Sequence, residues 1–420
     1  MAPDTQTRRA GLPHAVFLQR PADDGATSPE VRLGQGAFLT LRFVDLLDPA
    51  REASSPDVFR YQWAATERYC SELASEGAEA AHLTGIVRAT GEAHRLGDVR
   101  LLAPALLAYA MYLEQEGHLE EAEDVLLTLE RVGGDRLRSN DAIAVWMRLG
   151  RVRRLRAEFD QASAAYAEAG RIAAATGDRQ ALLLSRVGHC NTLYFRGNLA
   201  DAETGWRDIL SDAKAGGFRS VEAQAEQGLG NALARRGQPH EGAPHLWRSY
   251  ELYEDESARL RALNDLGIML LTLGDVGGAE RALTEVVNRE RMPDNRTNAV
   301  IELMHCASFR RDRVGFERWR ERGTEFLETA LPNVRADYHL KAGIGLARFG
   351  NYRRAEAEMR VALEIASAHQ LHEMVFRIER ILNGLGDCES LAREESTVTE
   401  PTVWTEELRE VSASLAALSA

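Results

Sequence analysis

Apolar residues recur along the chain with helical spacing, in pairs of segments separated by short polar turns. Between Asn140 and Asp178, the residues Trp146, Leu149 and Gly150 fall at i, i+3 and i+4, which places them on one face of a helix. After a turn at Ala157, a second helical face consists of Phe159, Ala162, Tyr166 and Ala169. The pattern predicts an antiparallel helix pair whose small residues let the two helices approach closely.

This pair recurs with a regular period. The predicted turns inside the pairs follow one another at intervals of 40 residues and later of 37 or 38, at Gly77, Gly117, Ala157, Gly197, Gly237, Gly274, Asp312 and Gly350. A second series between pairs, Gly97, Gly177 and Gly217, keeps the same period. Two series with one period predict an all-α solenoid of about eight antiparallel helix pairs.

The repeated pair resembles the tetratricopeptide repeat (TPR), whose pattern is W-x2-L-G-x2-Y followed by A-x3-F. The matching residues are Trp146, Leu149, Gly150, Ala162 and Tyr166, whereas Arg153 stands where the pattern has an aromatic residue. The TPR unit usually has about 34 residues. The longer unit is similar to those of kinesin light chain and of the peptide-sensing regulators of Gram-positive bacteria. The resemblance implies a right-handed superhelix whose concave groove is lined by the first helix of each pair.

The segments outside the repeats divide the chain further. Residues 1–55 are predicted to be a proline-rich tail, with a short apolar helix over 37–47 that covers the open end of the first repeat. The solenoid is predicted over 56–386, a polar linker over 387–402 and an amphipathic helix over 403–420. The apolar stripe of this last helix consists of Trp404, Leu408, Val411, Leu415 and Leu418. That stripe has to be buried on the last repeat as a cap, on another copy of the chain, or on a partner or the chain's own groove.

Composition and charge narrow the class of partner. The chain has 420 residues and a formal net charge of −13, which argues against nucleic acid or an anionic membrane as the main partner. No apolar window is long enough for a membrane span, and no secretion signal is found. The four cysteines lack metal-binding spacing, and Cys70 and Cys190 occupy the repeat position of Gly150, where a small residue packs. A cytoplasmic setting is expected.

No sequence motif indicates an enzyme. The stretch Gly228–Gly230 begins a dinucleotide-binding motif but lacks its third glycine. The stretch His240–His245 resembles a zinc-binding HExxH motif, but the second histidine is one residue too far and Pro244 interrupts the helix face. His369 and His372 lie one turn apart without a local third ligand. We therefore expect no catalytic residue, no metal and no cofactor.

Asparagines in the first helices form one group of candidate groove residues. Asn191 and Asn231 occupy the repeat position of Arg151, and Asn264 lies one turn earlier in its own repeat. An amide side chain both donates and accepts hydrogen bonds, so a ladder of asparagines suits the backbone of an extended peptide. In peptide-binding members of the TPR family, groove asparagines hold the ligand in this way. The alternative interpretation is a solvated polar face.

A basic helix face forms the second group. Arg148, Arg151 and Arg154 step by three along one helix, a local reversal of charge in an acidic chain. Guanidinium groups suit carboxylates, so this face predicts an anchor for an acidic side chain or a peptide C-terminus, with apolar contact from Tyr194 and Phe195. The alternative is that the arginines complement the helix macrodipole and pair with acidic neighbours.

The predicted function is that of a non-enzymatic scaffold that binds a protein or peptide segment in its concave groove. The bound segment can carry an acidic group. The alternative is a regulatory subunit that senses a signalling peptide or controls a partner effector protein. The region ahead of the repeats has no helix-turn-helix pattern, which counts against the peptide-sensing transcription factors. The C-terminal helix is expected either to cap the solenoid or to mediate self-association.

Overall fold

A computed structural model describes residues 11–20, 28–50, 55–328, 330–369, 371–391 and 405–418. The chain divides into two compact units, Met1–Asn198 and Leu199–Ala420. Over the described residues, both units consist of α-helices, with short 3-10 helices in the first unit, and within the repeats of each unit consecutive helices pack against each other. The prediction of an all-α, TPR-like solenoid of sequential helix pairs is confirmed. None of the described helices combines the length and the apolar character that crossing a bilayer requires.

The first unit contains a leading helix, three helix pairs and one further helix. The helices are α1 (Pro29–Val44), α2 (Pro56–Glu72), α3 (Ala78–Leu96), α4 (Ala103–Gln115), α5 (Leu119–Gly133), α6 (Ser139–Leu155), α7 (Phe159–Thr176) and α8 (Arg179–Arg196). Helices α4, α6 and α8 also contact one another from pair to pair. We call this continuous row the first-helix layer, because the first helix of each pair forms it.

The second unit, taken by itself, also consists of helix pairs. Its helices are α9 (Leu199–Gly216), α10 (Arg219–Arg235), α11 (Pro239–Leu252), α12 (Glu256–Thr272), α13 (Val276–Arg289), α14 (Pro293–Phe309), α15 (Arg313–Thr324), α16 (Pro332–Arg348), α17 (Tyr352–Ala368), α18 (His372–Leu391) and α19 (Glu406–Leu418). Helices α10, α12, α14 and α16 contact one another in succession and form the first-helix layer of this unit.

The turns inside the pairs have the left-handed backbone that their glycines suggest. φ is positive at seven of the eight predicted positions, including the non-glycine Ala157 at 60°. The exception is the seventh pair, where Arg311 has φ 57° and Asp312 has φ −80°. Asp312 instead caps α15, since its side chain accepts a hydrogen bond from the Gly315 N–H at 2.9 Å. The predicted turn is therefore wrong by one residue there.

Aromatic residues of the second helices pack on glycines of the first helices. A Cβ on Gly150 would lie 2.8 Å from Cε1 of Tyr166, and a Cβ on Gly188 would lie 2.2 Å from the same atom. In the second unit, a Cβ on Gly228 would lie 2.3 Å from Cε2 of Trp206. The predicted small-residue contact is thus present in both units, and Cys70 and Cys190, which occupy the repeat position of Gly150, are buried.

The N-terminal region is more structured than a tail. Helix α1 begins at Pro29, where proline occupies the first turn and Ser28 caps the helix, so proline does not prevent helix formation here. Residues 15–19 form a 3-10 helix with Phe17 buried. The prediction of a tail is therefore wrong for 11–20 and for the start of α1. The predicted apolar helix over 37–47 corresponds to the end of α1 and the 3-10 turn that follows it.

The imidazole of His14, in this N-terminal segment, lies between two carboxylates. Its Nε2 lies 3.3 Å from Asp45 and its Nδ1 lies 2.5 Å from Asp124. Burial lowers the pKa of His14, but the hydrogen bonds to Asp124 and Asp45 outweigh it and raise the pKa above its ordinary value. Because the folded pKa exceeds the unfolded one, protonated His14 stabilises the fold below the unfolded pKa, and this contribution is lost as pH rises through the folded pKa.

We expect His14→Gln to lower the urea midpoint of unfolding more at about pH 5.5 than at about pH 9, because only the protonated imidazole forms ion pairs with Asp45 and Asp124. The measurement is urea unfolding of wild type and variant at both pH values. The exposed His189, changed to Gln, serves as the control. An equal loss at the two pH values would show that the stabilisation by His14 does not depend on its charge.

The C-terminal helix docks on second helices in the middle of the repeats. Helix α19 packs against α11 and α13, and Leu408, Val411 and Leu415 are buried there in one apolar cluster. The prediction that this helix caps the last repeat is therefore wrong, because its apolar stripe is covered by pairs five and six. Self-association stays a prediction, and Trp404 lies outside the described residues.

Helix α18 continues through Gly384 and Gly386, where helix pairing was predicted to end. It reaches Leu391 and so includes the beginning of the predicted linker 387–402. Residues 392–402 lie outside the described residues.

Candidate functional site

The predicted groove arginines Arg148 and Arg151 share one carboxylate in the first-helix layer of the first unit. Arg148 donates from Nη1 to Glu114 Oε2 at 2.7 Å, and Arg151 donates from Nε to Glu114 Oε1. The Glu114 side chain is 6% exposed, whereas that of Arg151 is 52% exposed. One carboxylate therefore serves two guanidinium groups, and the pair of arginines keeps a net positive charge.

Arg154 adds a third guanidinium group to this face. Its Cζ lies 4.7 Å from the centroid of the Phe195 ring, which is 53% exposed. Its Nε is buried and has no hydrogen-bond partner among the described residues. Burial raises the pKa of the neighbouring Tyr166 hydroxyl, although the charge of Arg154 and a hydrogen bond to it act in the opposite direction. Arg154 thus presents a cation on an exposed aromatic ring, an arrangement suited to an oxyanion.

Two neighbouring arginines pair with acidic residues, as the alternative interpretation of the basic stretch predicts. Arg153 donates to Glu123 at 2.8 Å, and Arg156 also pairs with Glu123 and lies 2.9 Å from Glu158. Their charges are compensated inside the first unit. The basic stretch therefore separates into a compensated part and the positively charged face of Arg148, Arg151 and Arg154.

Helix α8 supplies the remaining predicted residues of the first unit. Asn191 is half-buried and makes no side-chain hydrogen bond to a described residue. The Tyr194 ring lies 5.2 Å from the Phe195 ring in an edge-to-face arrangement. Asn191 precedes Phe195 by four residues, so both occupy the same face of α8. The first unit therefore combines cationic, amide and aromatic groups in adjacent first helices.

In the second unit, Asn231 belongs to a hydrogen-bonded cluster around Asp265. Asn231 Nδ2 donates to Asp265 Oδ2 at 3.0 Å, and Gln227 Nε2 donates to the same oxygen at 2.8 Å. The Tyr253 hydroxyl donates to Gln227 Oε1 at 2.8 Å. Burial raises the pKa of Asp265, while the two amide donors oppose this shift. One amide N–H of Asn231 is therefore already used, and Asp265 is a carboxylate of the first-helix layer that the sequence-based site omitted.

A cavity of about 240 Å³ lies beside this cluster. Its lining residues come from α10, α12 and the start of α11: Asn231, Ala234, Arg235, Pro239, Asp265, Ile268, Met269 and Thr272. The lining combines an amide, a carboxylate and a guanidinium group with apolar side chains, as is usual for a ligand-binding pocket.

Asn264 does not line this cavity. Its side chain is 6% exposed, and its Oδ1 has no hydrogen-bond partner among the described residues. Helix α12 packs against α10 and α14, which covers the position one turn before the groove position. The predicted place of Asn264 on the groove surface is therefore corrected to a buried one.

The fold defined by these helix pairs is TPR-like, as the sequence predicted. Among solved structures, the apo form of the quorum sensor NprR from B. thuringiensis matches with a TM-score of 0.54 and 12% identity, covering 91% of this chain and 98% of that chain. The apo form of RapI matches with a TM-score of 0.50 and 11% identity, covering 64% of this chain and 98% of that chain. These similarities define the fold alone.

A more distant structure is aspartyl phosphate phosphatase F from Bacillus subtilis. It has a TM-score of 0.47 and 13% identity, and the match covers 79% of this chain and 93% of that chain. A similarity of this degree carries no argument about catalysis. No protein-family model and no curated protein matches the chain.

Proposed function

We propose that this chain is a non-enzymatic regulator that binds a peptide on its first-helix layers and controls a partner protein in response. The observation that carries the proposal is Arg154, a guanidinium group on the exposed ring of Phe195 with no ion-pair partner among the described residues. The structural similarity to a quorum sensor favours the regulatory alternative over the plain scaffold that composition and motifs suggested. A cytoplasmic setting remains part of the proposal.

Recognition in the first unit depends on its positive face. A carboxylate of the peptide, from an acidic side chain or the C-terminus, would accept hydrogen bonds from Arg154 and Arg151. Phe195 and Tyr194 would pack against apolar atoms of the peptide beside that carboxylate. Asn191, which has both donor and acceptor groups, would bond the peptide backbone.

Recognition in the second unit depends on hydrogen-bond acceptors. Asp265 and the amide oxygen of Asn231 are acceptors, and Arg235 adds a cation to the same lining, so the cavity between α10 and α12 favours a neutral donor such as a backbone N–H. Its apolar lining by Ile268 and Met269 would contact apolar atoms of the peptide beside that N–H. Each unit thus offers a separate subsite with its own hydrogen-bonding preference.

We expect Arg154→Gln to weaken peptide binding roughly 10- to 100-fold, the loss that corresponds to one charge-assisted hydrogen bond of about 1.5–3 kcal/mol. Pools of synthetic five- to ten-residue peptides, with free or amidated C-termini, would be tested against the full chain by thermal shift. Individual binders would then be measured by fluorescence anisotropy.

The matched control is Arg171→Gln on α7, because Arg171 is exposed and pairs with Glu168 outside the first-helix layer. It should bind like wild type. Equal affinity of the Arg154 variant and wild type would remove this residue from the site, and failure of every pool to bind would contradict peptide sensing. For a peptide that binds, compaction in small-angle scattering supports the regulator, whereas an unchanged profile supports the scaffold.

A further inference from the structure

Arg348, at the end of α16, has a guanidinium group that is held in place by two contacts but has no carboxylate partner among the described residues. Arg348 donates from Nη1 to Ser308 Oγ at 2.7 Å, and its Cζ lies 3.6 Å from the centroid of the Phe309 ring. Among the described residues, no carboxylate lies within 4.0 Å of this guanidinium. The two contacts fix the plane of the group and leave its other N–H donors available.

A further positive charge lies beside Arg348. Burial, together with the charge of Arg311 in the turn after α14, lowers the pKa of Arg348 to about 10. The carboxylates of Glu302 and Asp337 are already engaged, because the Lys341 ammonium pairs with Glu302 and lies 2.6 Å from Asp337. A partly buried cation with a like charge beside it is costly unless an anion compensates it.

His305 lies beside the same guanidinium and is neutral. Its Nδ1 lies 3.5 Å from Nη1 of Arg348, and since a guanidinium only donates, Nδ1 is on the acceptor side. Burial, followed by the charge of Arg348, lowers the pKa of His305 to about 2. The neutral ring therefore carries its proton on Nε2 and can donate it.

Ser308 orients the Arg348 guanidinium and has no hydrogen-bonding function left for a ligand. Its hydroxyl donates to the His305 carbonyl at 2.7 Å, while its Oγ accepts from Arg348. Both functions of the hydroxyl are thereby used. The donors that remain for a ligand are the free N–H groups of Arg348, the Nε2–H of His305 and the exposed guanidinium of Arg311.

We propose that Arg348, Arg311 and His305 form an oxyanion-binding site at the ends of α14 and α16. The ligand class is a single carboxylate or phosphate group. Such a group is planar or tetrahedral, accepts several hydrogen bonds, and would neutralise a charge that the second unit leaves uncompensated. This site is separate from the residues of the proposed peptide subsites and does not depend on that function.

The test compares sodium phosphate and N-acetylglycine with sodium chloride at equal ionic strength, using thermal unfolding and titration calorimetry on the full chain. Phosphate, N-acetylglycine or both should raise the melting midpoint of wild type, because a ligand that binds only the folded state stabilises it. Arg348→Gln should weaken binding roughly tenfold or more, as expected for the loss of a charge-assisted hydrogen-bonding partner. The anion that acts identifies the group as phosphate or carboxylate.

Two variants make the outcome decisive. Arg311→Gln removes an exposed side chain and should weaken binding without affecting the fold. Arg360→Gln on α17, an exposed arginine paired with Glu356, should leave binding unchanged. In chloride alone, Arg348→Gln should melt no lower than wild type, whereas a purely structural role predicts a lower midpoint. No response of wild type to either anion, or a response in Arg348→Gln and Arg311→Gln as strong as that of wild type, would overturn the site.

Discussion

Replacing Arg20 with methionine is expected to destabilise the first unit by about 3–5 kcal/mol, because the change leaves buried carboxylates without their counter-charge. Arg20 donates from Nη1 and Nη2 to Glu79 at 2.9 and 2.8 Å, and from Nε to Glu121 at 2.8 Å. The Tyr109 hydroxyl donates to Glu79 at 2.6 Å. All four side chains are buried, so water cannot replace the guanidinium.

Urea unfolding and amide hydrogen exchange of α3 and α5 would measure this loss. Arg60→Met is the matched control, because Arg60 is exposed and pairs only with the exposed Asp57. Adding Glu79→Gln and Glu121→Gln to Arg20→Met should restore part of the stability, since no buried charge then remains unpaired. If Arg20→Met behaved like Arg60→Met, the buried ion pairs of Arg20 would not contribute to the stability of the first unit.

The repeat architecture was predictable because it depends on local rules. Glycine at a fixed period supplies the left-handed turn, and helical spacing of apolar residues supplies the packing face. The one wrong turn shows the limit of this rule. Arg311 adopts positive φ without being glycine, because Asp312 is held as the cap of α15, and the side chains alone do not reveal that choice.

The structure of the terminal segments depends on contacts between residues far apart in sequence, which no local pattern predicts. Arg20 pairs with partners that are 59 and 101 residues away in sequence, and the proline-rich stretch around it has no periodicity that would reveal them. The stripe of α19 correctly predicted that Leu408, Val411 and Leu415 would be buried. It carried no information on which helices would bury them, since an apolar stripe fits any complementary apolar surface.

The sequence predicted which helices carry the candidate site residues, but it did not predict the charged residues that pair with them. Register placed Arg151 and Asn231 on the first helices, yet their partners Glu114 and Asp265 come from neighbouring repeats 37 and 34 residues away. Glu114 stands three residues before Gly117, just as Arg154 stands three residues before Ala157. Comparison of equivalent positions in adjacent repeats would have revealed the opposite charge at Glu114.

Replacing Trp206 with alanine is expected to have the second large effect. The free energy of unfolding should fall by about 3–5 kcal/mol, because the change removes a fully buried aromatic side chain and leaves a cavity. Trp206 is 1% exposed, and its ring occupies the space left by the absent side chain of Gly228. Helix α10 cannot move into that space without losing its contacts to α11 and α12.

The effect of Trp206→Ala should also be local, since repeats interact mainly with their nearest neighbours. Hydrogen exchange measured by mass spectrometry should show lost protection in α9, α10 and α11 before it appears in α16 and α17. Val314→Ala, at a residue that is 81% exposed, is the control and should stay within about 0.5 kcal/mol of wild type. A uniform loss of protection across 199–368 would instead mean that these repeats unfold as one cooperative block, and a ligand bound on any one pair would then stabilise all of them.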